Sequence, residues 1–472
     1  MRAGLAIWIA VALCAQTTAD PTVVALHARD KLLDRARHLP DYTCVQTVTR
    51  KYYNGPGDTS ELKRNPCGQV IAEGDKRNYQ AGLWKTDRIR FDVKVSGSTE
   101  ISSWVGAPGF ASRSILLDLA RKSYQSGVLG PLLEDIFFHE GAEFRYGGPD
   151  QSTGAGLLAY TFHVDAQDSH YFVNQGLDQW SDATPYSGTA WVDPVSFEVR
   201  QLMVRTGPEV SNTVCEVTTI AGYKRLRIGD SDIVMPTESR FRTLLVNGAA
   251  VDAESVYSGC RKSQSEPAPD SNNNPDANPG NEPDVNPVAG AKDEANVKES
   301  VPCILRYCEP PEEEKANGAK FTISAPASIP AGLSFDLALT DPIDTDTAAA
   351  GDMVTATVQR PLLDRSTKAV LIPAGAKVRG RITRMEKYIS NSGRPSAFLI
   401  ALELETVEIN GARRPFYARP YASFGPDSGP FVSIAPIVDS VAAGAWTFRS
   451  IQSSYIVPAG YPSLWITTEA PR

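Results

Sequence analysis

Arg88-Ile89-Arg90-Phe91-Asp92-Val93-Lys94-Val95 alternates charged and apolar side chains without a break. In an extended chain successive side chains leave on opposite faces, so Ile89, Phe91, Val93 and Val95 share one face and the charges share the other. That pattern belongs to a strand of an antiparallel sheet with one covered side and one wet side. Upstream, Tyr42–Tyr53 is rich in Thr, Val and Tyr, again a strand composition. Downstream, Leu157–Val164, Gly188–Val192, Val199–Arg205, Val214–Tyr223 and Glu238–Val246 are short β-type runs bounded by Gly, Pro, Asn or Asp. Asn247-Gly248 reads as a two-residue hairpin, because both residues tolerate positive φ.

Helical spacing occurs in two places. Asp20 can cap a helix, Pro21 suits its first turn, and Val24, Ala28, Leu32 and Ala36 recur on one side until Pro40 stops it. Residues 112–138 form a second helical insert with a Gly-Pro break before Leu132–Phe138. Strand after strand with helices to one side is an α+β layout, not an alternating βαβ one.

The chain has 472 residues, which exceeds one ordinary core. Met1-Arg2, the apolar run Ala3–Ala15 and the small-residue exit Thr17-Thr18-Ala19 read as a secretory signal, cleaved after Ala19. The run is shorter than the roughly 20 apolar residues of a membrane span, and no later stretch qualifies. A lipoprotein signal would need a small residue where Leu13 stands, so Cys14 reads as a signal-peptide cysteine. The other six cysteines, Cys44, Cys67, Cys215, Cys260, Cys303 and Cys308, are an even number in an exported chain and imply disulfides. Pairing within each region, Cys44–Cys67, Cys215–Cys260 and Cys303–Cys308, is the simplest expectation. The net charge of −8 speaks against nucleic acid as a partner.

Residues 266–300 hold 6 Pro, 7 Asn and 8 acids against 2 bases, with no Leu, Ile or aromatic residue. Such a segment cannot bury enough apolar surface to offset ordering, which predicts a disordered linker over 266–320. The expected organisation is a signal (1–19), an α+β domain (20–265), this linker, and an all-β domain over 321–472. In the last, Ile329-Pro-Ala-Gly332, Ile372-Pro-Ala-Gly375 and Val457-Pro-Ala-Gly460 each precede a strand-like run, as type I turns launching strands. Asn410-Gly411 is a second hairpin signal.

The sequence offers little for bond-breaking chemistry. His163-Val-Asp165-Ala-Gln-Asp168-Ser-His170 clusters imidazole and carboxylate, but at a strand end it reads as a solvated hairpin before a metal site. Asp341-Pro-Ile-Asp344-Thr-Asp346 lacks the glycine of a calcium loop and reads as a polar turn. Gly425–Pro430 lacks the nucleophile-elbow pattern. Lys377, Arg379, Arg381 and Arg384 read as the wet face of a strand. No cofactor motif is present. Trp84, Phe91, Trp104, Phe110, Trp180 and Trp191 sit on or beside strands of the first domain. They fill a core under a curved sheet or, as ligand-site candidates, line an apolar cleft.

Gly188-Thr-Ala-Trp-Val-Asp193-Pro194-Val-Ser-Phe-Glu-Val-Arg200, with the strands to Tyr223 and Met235–Arg240, resembles the LolA/LolB-like outer-membrane lipoprotein carrier superfamily. That resemblance implies an incomplete antiparallel barrel, helices in its open side and a cavity for acyl chains; paired cysteines are not a feature of that family. Leu39-Pro-Asp-Tyr-Thr-Cys44 looks like the start of uncharacterised secreted proteins of soil bacteria. Ile329–Gly332, Leu339–Asp352 and Leu371–Arg381 resemble the TrbI-like barrel of conjugative and type IV secretion systems over about residues 325–410. It implies a small β-barrel that makes protein–protein contacts, without carrying over a secretion-channel role. Together these readings lead to a non-enzymatic envelope protein, periplasmic or secreted and associated with the outer membrane, acting as a binding or assembly module with envelope-protein partners. The alternative is a periplasmic carrier of a lipid or lipoprotein acyl chain in the first domain.

Overall fold

The structure is a computed structural model that describes residues 20–38, 40–55, 67–74, 82–96, 99–107, 110, 131–139, 141–150, 156–176, 179–208, 210–263, 329–389, 396–423, 432–434, 445–450 and 454–470. The expected signal, the linker, most of the 112–138 insert, Cys303, Cys308 and Gly425–Pro430 lie outside them.

The N-terminal half begins with α1 (Pro21–His38), β1 (Tyr42–Tyr53), α2 (Cys67–Gly74), β2 (Leu83–Ser96) and β3 (Thr99–Trp104). A helical turn α3 (Pro131–Glu134) runs on into a wider turn at Asp135–His139. Then come β4 (Glu143–Pro149), β5 (Leu158–Val164), β6 (Asn174–Gly176), β7 (Gln179–Trp180), β8 (Tyr186–Val192), β9 (Val199–Thr206), β10 (Val214–Ile228), β11 (Ser231–Leu245) and β12 (Ala250–Lys262). Antiparallel pairing follows the order β4–β5–β8–β9–β10–β11–β12–β1–β2–β3. The order is a meander, except at the seam where the last strand, β12, meets the first, β1.

In β2 the inward set is the one the alternation selects: Ile89, Phe91, Val93 and Val95 are buried. Asp20 caps α1 by accepting the Thr22 N–H at 2.9 Å. Val24, Ala28 and Leu32, spaced four apart, pack with Leu133 and Ile136 against Tyr160, Phe162, Tyr186 and Leu202. The sheet approaches itself closely at Gly188, where a Cβ would stand 2.2 Å from the Met203 carbonyl oxygen and 2.3 Å from the Phe162 ring.

Two disulfides join the described cysteines, and their pairing corrects the sequential expectation: Cys44–Cys260 and Cys67–Cys215. Cys44 lies near the start of β1, whereas Cys67 begins α2 beyond its far end, about 30 Å away along nine strand residues. Cys215 and Cys260 are likewise at opposite ends, because β10 and β12 both run antiparallel to β11. The first bridge staples the β1–β12 seam. The second holds α2 onto β10 beside Tyr53, Val70, Leu244 and Ala250.

The C-terminal half is all strand: β13 (Ser334–Leu339), β14 (Ile343–Asp344), β15 (Met353–Val358), β16 (Leu362–Leu363), β17 (Val370–Ile372), β18 (Lys377–Tyr388), β19 (Ser396–Ile409), β20 (Ala412–Pro415), β21 (Ala418–Ser423), β22 (Val432–Ile434), β23 (Ala445–Ser450), β24 (Ile456–Val457) and β25 (Pro462–Thr467). Its own core gathers Phe335, Val378, Phe398, Ile400, Phe416 and Trp465. Pairings run β21–β25–β13–β15–β18–β19 and on to β20 and β23. Both halves belong to one large antiparallel sheet, which is not closed into a barrel; β18 pairs with β2. The fold is α+β with few helices.

The turns refine the local expectations. Asn410 and Gly411 both have positive φ and make a two-residue turn between β19 and β20. Val246–Ala249 is instead a four-residue connection in which only Gly248 has positive φ. In the Pro-Ala-Gly turns the bond runs from the residue after Gly to the Pro carbonyl, as from Ala376 to Pro373 and Tyr461 to Pro458. Pro therefore opens the turn and Gly375 or Gly460, at φ 80 and 78, takes its third position. These are type II turns, not type I.

Non-reducing peptide mapping is expected to recover Cys44 with Cys260 and Cys67 with Cys215, and replacing both members of either pair by Ala is expected to cost about 3–5 kcal/mol. Alkaline titration gives a second check. Burial pushes the Tyr171 and Tyr160 hydroxyls up to about 12, and raises Tyr52, Tyr223 and Tyr257 further. Their unfolded counterparts ionise near 10, so stability is fully present below about pH 10 and falls as pH rises toward 12. Absorbance at 295 nm should show a group of tyrosines ionising only as the fold is lost.

Candidate functional site: the junction between the two halves

β2 carries the junction. Its register with β1 sets Arg50 beside Asp87, and its register with β18 sets Asp87 beside Glu386. Two carboxylates on neighbouring strands would repel. Each is neutralised by a guanidinium: Arg50 Nε and Nη2 donate to Asp87 at 2.6 and 2.9 Å, and Arg384 Nε and Nη2 donate to Glu386 at 3.1 and 3.0 Å. Tyrosine hydroxyls complete the set, Tyr52 to Asp87 at 2.9 Å and Tyr388 to Glu386 at 2.7 Å. The side chains of Arg50, Asp87 and Glu386 are 0, 3 and 1% exposed, so the network is out of water. Burial opposes the Arg50 charge, yet Asp87, Tyr52 and Glu386 hold its pKa above the usual guanidinium value.

A turn from the C-terminal half seats on the adjacent residues of β2. Arg90 N–H donates to the Ala350 carbonyl at 2.7 Å, and Ala350 N–H donates to the Arg88 carbonyl at 2.9 Å. The Arg90 guanidinium holds Asp352 at 2.5 and 2.7 Å and the Thr347 carbonyl at 3.2 Å. Arg88 donates to the carbonyls of Asp346 and Ala348. The Asp344-Thr-Asp346 turn is therefore a docking turn: Asp344 Oδ1 accepts the Asp346 N–H, and its carbonyls meet arginine. Ala350 enters the same apolar cluster as Ile89, Phe91, Val93 and half-buried Trp104.

Arg381 corrects the expectation of a wet basic strip on β18. It is 4% exposed, with Nη1 donating to the Val105 and Gly351 carbonyls at 2.8 and 2.6 Å and Nε to Glu405 at 2.8 Å. Lys377 and Arg379 are exposed as expected. The charged face of β2 is likewise covered at Arg88 and Arg90.

Three of the six candidate aromatics meet at this junction. Trp84 lies 6.1 Å from both Tyr52 and Tyr388, with the Lys85 ammonium 5.5 Å from its ring and 4.1 Å from that of Tyr52. Phe91 and Trp104 pack with Ala350. Phe110 is half-buried, and the Trp180 side chain lies outside the described residues. Trp191 alternates with the core residues Ala190 and Val192 and so faces away from the α1 core.

The WVDP motif is a tight turn under α1. Asp193 Oδ1 accepts the Val195 and Ser196 N–H groups at 2.9 and 3.2 Å, and these bonds lower its pKa against the opposing effect of burial. Phe197, at φ 56, meets His27 of α1 edge-on at 4.7 Å.

The structure adds Ser187 to the His163–Asp165 cluster of the sequence. His163 Nδ1 lies 2.8 Å from Ser187 Oγ and its Nε2 lies 3.1 Å from Asp165 Oδ1. Ser187 is the direct register partner of His163 across β5 and β8, and Asp165 is two residues along the chain. The pieces of a nucleophile–base–acid set are in reach, but His163 and Asp165 are 56 and 70% exposed on an open strand face. Among the described residues no three His, Cys, Asp or Glu side chains group to hold a metal.

Replacing Arg50 with Met leaves Asp87 buried opposite Glu386 with one guanidinium between them. The expected loss is about 3–5 kcal/mol in chemical denaturation, with much of it recovered when Asp87→Leu is added.

No family model and no curated protein matches the chain. Among solved structures it is similar to ComB10 of the Com type IV secretion system of Helicobacter pylori, at 14% identity over 30% of this chain and 92% of that one, with a TM-score of 0.18. It is also similar to a Vibrio parahaemolyticus domain described as an outer membrane lipoprotein-sorting protein, at 10% identity over 50% of this chain and 91% of that one, with a TM-score of 0.24.

Proposed function

We propose that the chain is an exported, non-enzymatic protein of the cell envelope that works as a binding and assembly module. In this reading the N-terminal strands are an incomplete barrel roofed by α1, the C-terminal strands a small barrel, and the junction sets one against the other. The observation that carries it is the junction itself. Strands far apart in sequence are set against each other by four ionic side chains, three of them buried, and by one turn held by Arg88, Arg90 and Arg381, which is the chemistry of a scaffold.

Supporting detail comes from both halves. Long-range disulfides suit an oxidising compartment. On the C-terminal half, Leu363 and Val370 are register partners left 40 and 58% exposed, apolar positions suited to a protein partner. At the Ser187–His163–Asp165 set, water screens the carboxylate from the imidazole and leaves the serine weakly activated.

Cell fractionation with thiol labelling is expected to find the protein in the periplasm or outside the cell, with no free thiol at Cys44, Cys67, Cys215 or Cys260. A photocrosslinking residue at Val370 should capture an envelope protein, and hydrolysis of a p-nitrophenyl ester should be the same for wild type and Ser187→Ala. Reduced cytoplasmic protein, or ester hydrolysis lost with Ser187→Ala, would refute the reading.

A further inference from the structure

Within residues 20–263, β2 is paired on both sides only from Phe91 onward, where β3 lies beside it. From Leu83 to Arg90 it has β1 on one side. The C-terminal half fills the other side in two steps. Residues 386–388 pair with 85–87, and the Ile389 N–H continues to the Trp84 carbonyl at 2.7 Å; then Ala350 bridges to Ile89. A sheet edge left open is a ready template for another strand.

This edge is selective. Arg88 and Arg90 reach outward for carbonyls and a carboxylate, Asp87, held by Arg50, stands opposite Glu386, whose charge Arg384 balances, and Trp104 closes the end. Its occupant matches each feature. Ala350 is small enough to enter between Ile89 and Phe91. Gly351 has φ +105, and a Cβ there would stand 1.9 Å from the Arg90 carbonyl oxygen and 3.0 Å from the Trp104 ring. Asp352 takes Arg90, while its Oδ2 also accepts the Ala349 N–H at 2.9 Å and so holds the turn in shape. Arg381 ties the Gly351 carbonyl back to β18.

We propose that the Leu83–Arg90 edge is a recognition surface for the C-terminal half, with Ala350-Gly351-Asp352 as the segment it reads, and that the two halves hold together without their covalent link. The tether between Ser263 and Ile329 then only raises the local concentration of one half near the other.

The test uses the full chain with a protease site placed between Ser263 and Ile329. After cleavage the two fragments should co-elute in gel filtration at the volume of the uncut protein. Arg90→Asp should raise the dissociation constant of the cut pair at least tenfold, and adding Asp352→Arg should restore part of that loss by reversing the pair. Gly351→Val should separate the fragments while far-ultraviolet circular dichroism of each keeps its strand signal. Wild-type fragments that elute apart, or Arg90→Asp and Gly351→Val pairs that stay together as tightly as wild type, would overturn the proposal.

Discussion

Asp87 and Glu386 stand directly across from one another on neighbouring strands, and that placement organises the molecule. Two buried carboxylates at strand spacing are untenable by themselves, so Arg50 and Arg384 must be brought in from either side. Each pair is made within one half, Arg50–Asp87 across β1 and β2 and Arg384–Glu386 along β18, and the register of β18 with β2 sets the two pairs side by side. A network of this kind adds little net stability over an apolar one of the same shape. What it adds is register: slipping β18 by one residue against β2 would turn Glu386 and Arg384 together to the other face and leave the Arg50–Asp87 pair facing a different set of β18 side chains.

The neighbouring turn solves a different difficulty. The apolar face of β2 runs to the edge of the N-terminal sheet: Ile89 has Val48 of β1 on one side, and on the other side, among the described residues, β3 begins only at Phe91. Ala350 covers it with the smallest side chain that still excludes water. Gly351 lets the backbone come within bonding distance of Arg90, and Arg381 satisfies the carbonyls that the close approach would otherwise strand. The junction is therefore backbone-led, with side chains closing the gaps.

The parts of this architecture governed by local rules are legible in the sequence. Strict alternation in Arg88–Val95 gives the inward face of β2, and Val24, Ala28 and Leu32 give the buried stripe of α1. Asn410-Gly411 gives its turn, because φ preferences are intrinsic to those residues. What escapes is set by contacts across long separations. Arg88 and Arg90 read as solvated because their covering turn lies some 260 residues away. Arg381 reads as one more charge on a wet strand, since nothing nearby reveals that it points at a carbonyl of residue 105. Cys44 prefers Cys260 over Cys67 because β12 folds back beside β1, a consequence of sheet order and not of spacing. Ser187 meets His163 by register alone, with no local motif to announce it. The end of β10 escapes for a related reason: Lys224, Arg225 and Arg227 break the apolar rhythm, while the long antiparallel ladder with β11 continues through them.

The nested arrangement of the two bridges bears on how the chain can mature. In the proposed export into an oxidising space, N-terminus first, Cys44 and Cys67 would arrive together, long before either true partner. An indiscriminate oxidant would join them, and the resulting loop would tie the first strand to the segment beyond its far end, blocking the place that the last strand of the meander must occupy. Cys260, the cysteine that closes the seam, arrives after the other three. Faithful maturation thus calls either for thiols kept reduced until most of the N-terminal half has crossed, or for a helper that breaks and re-forms an early, misplaced bond.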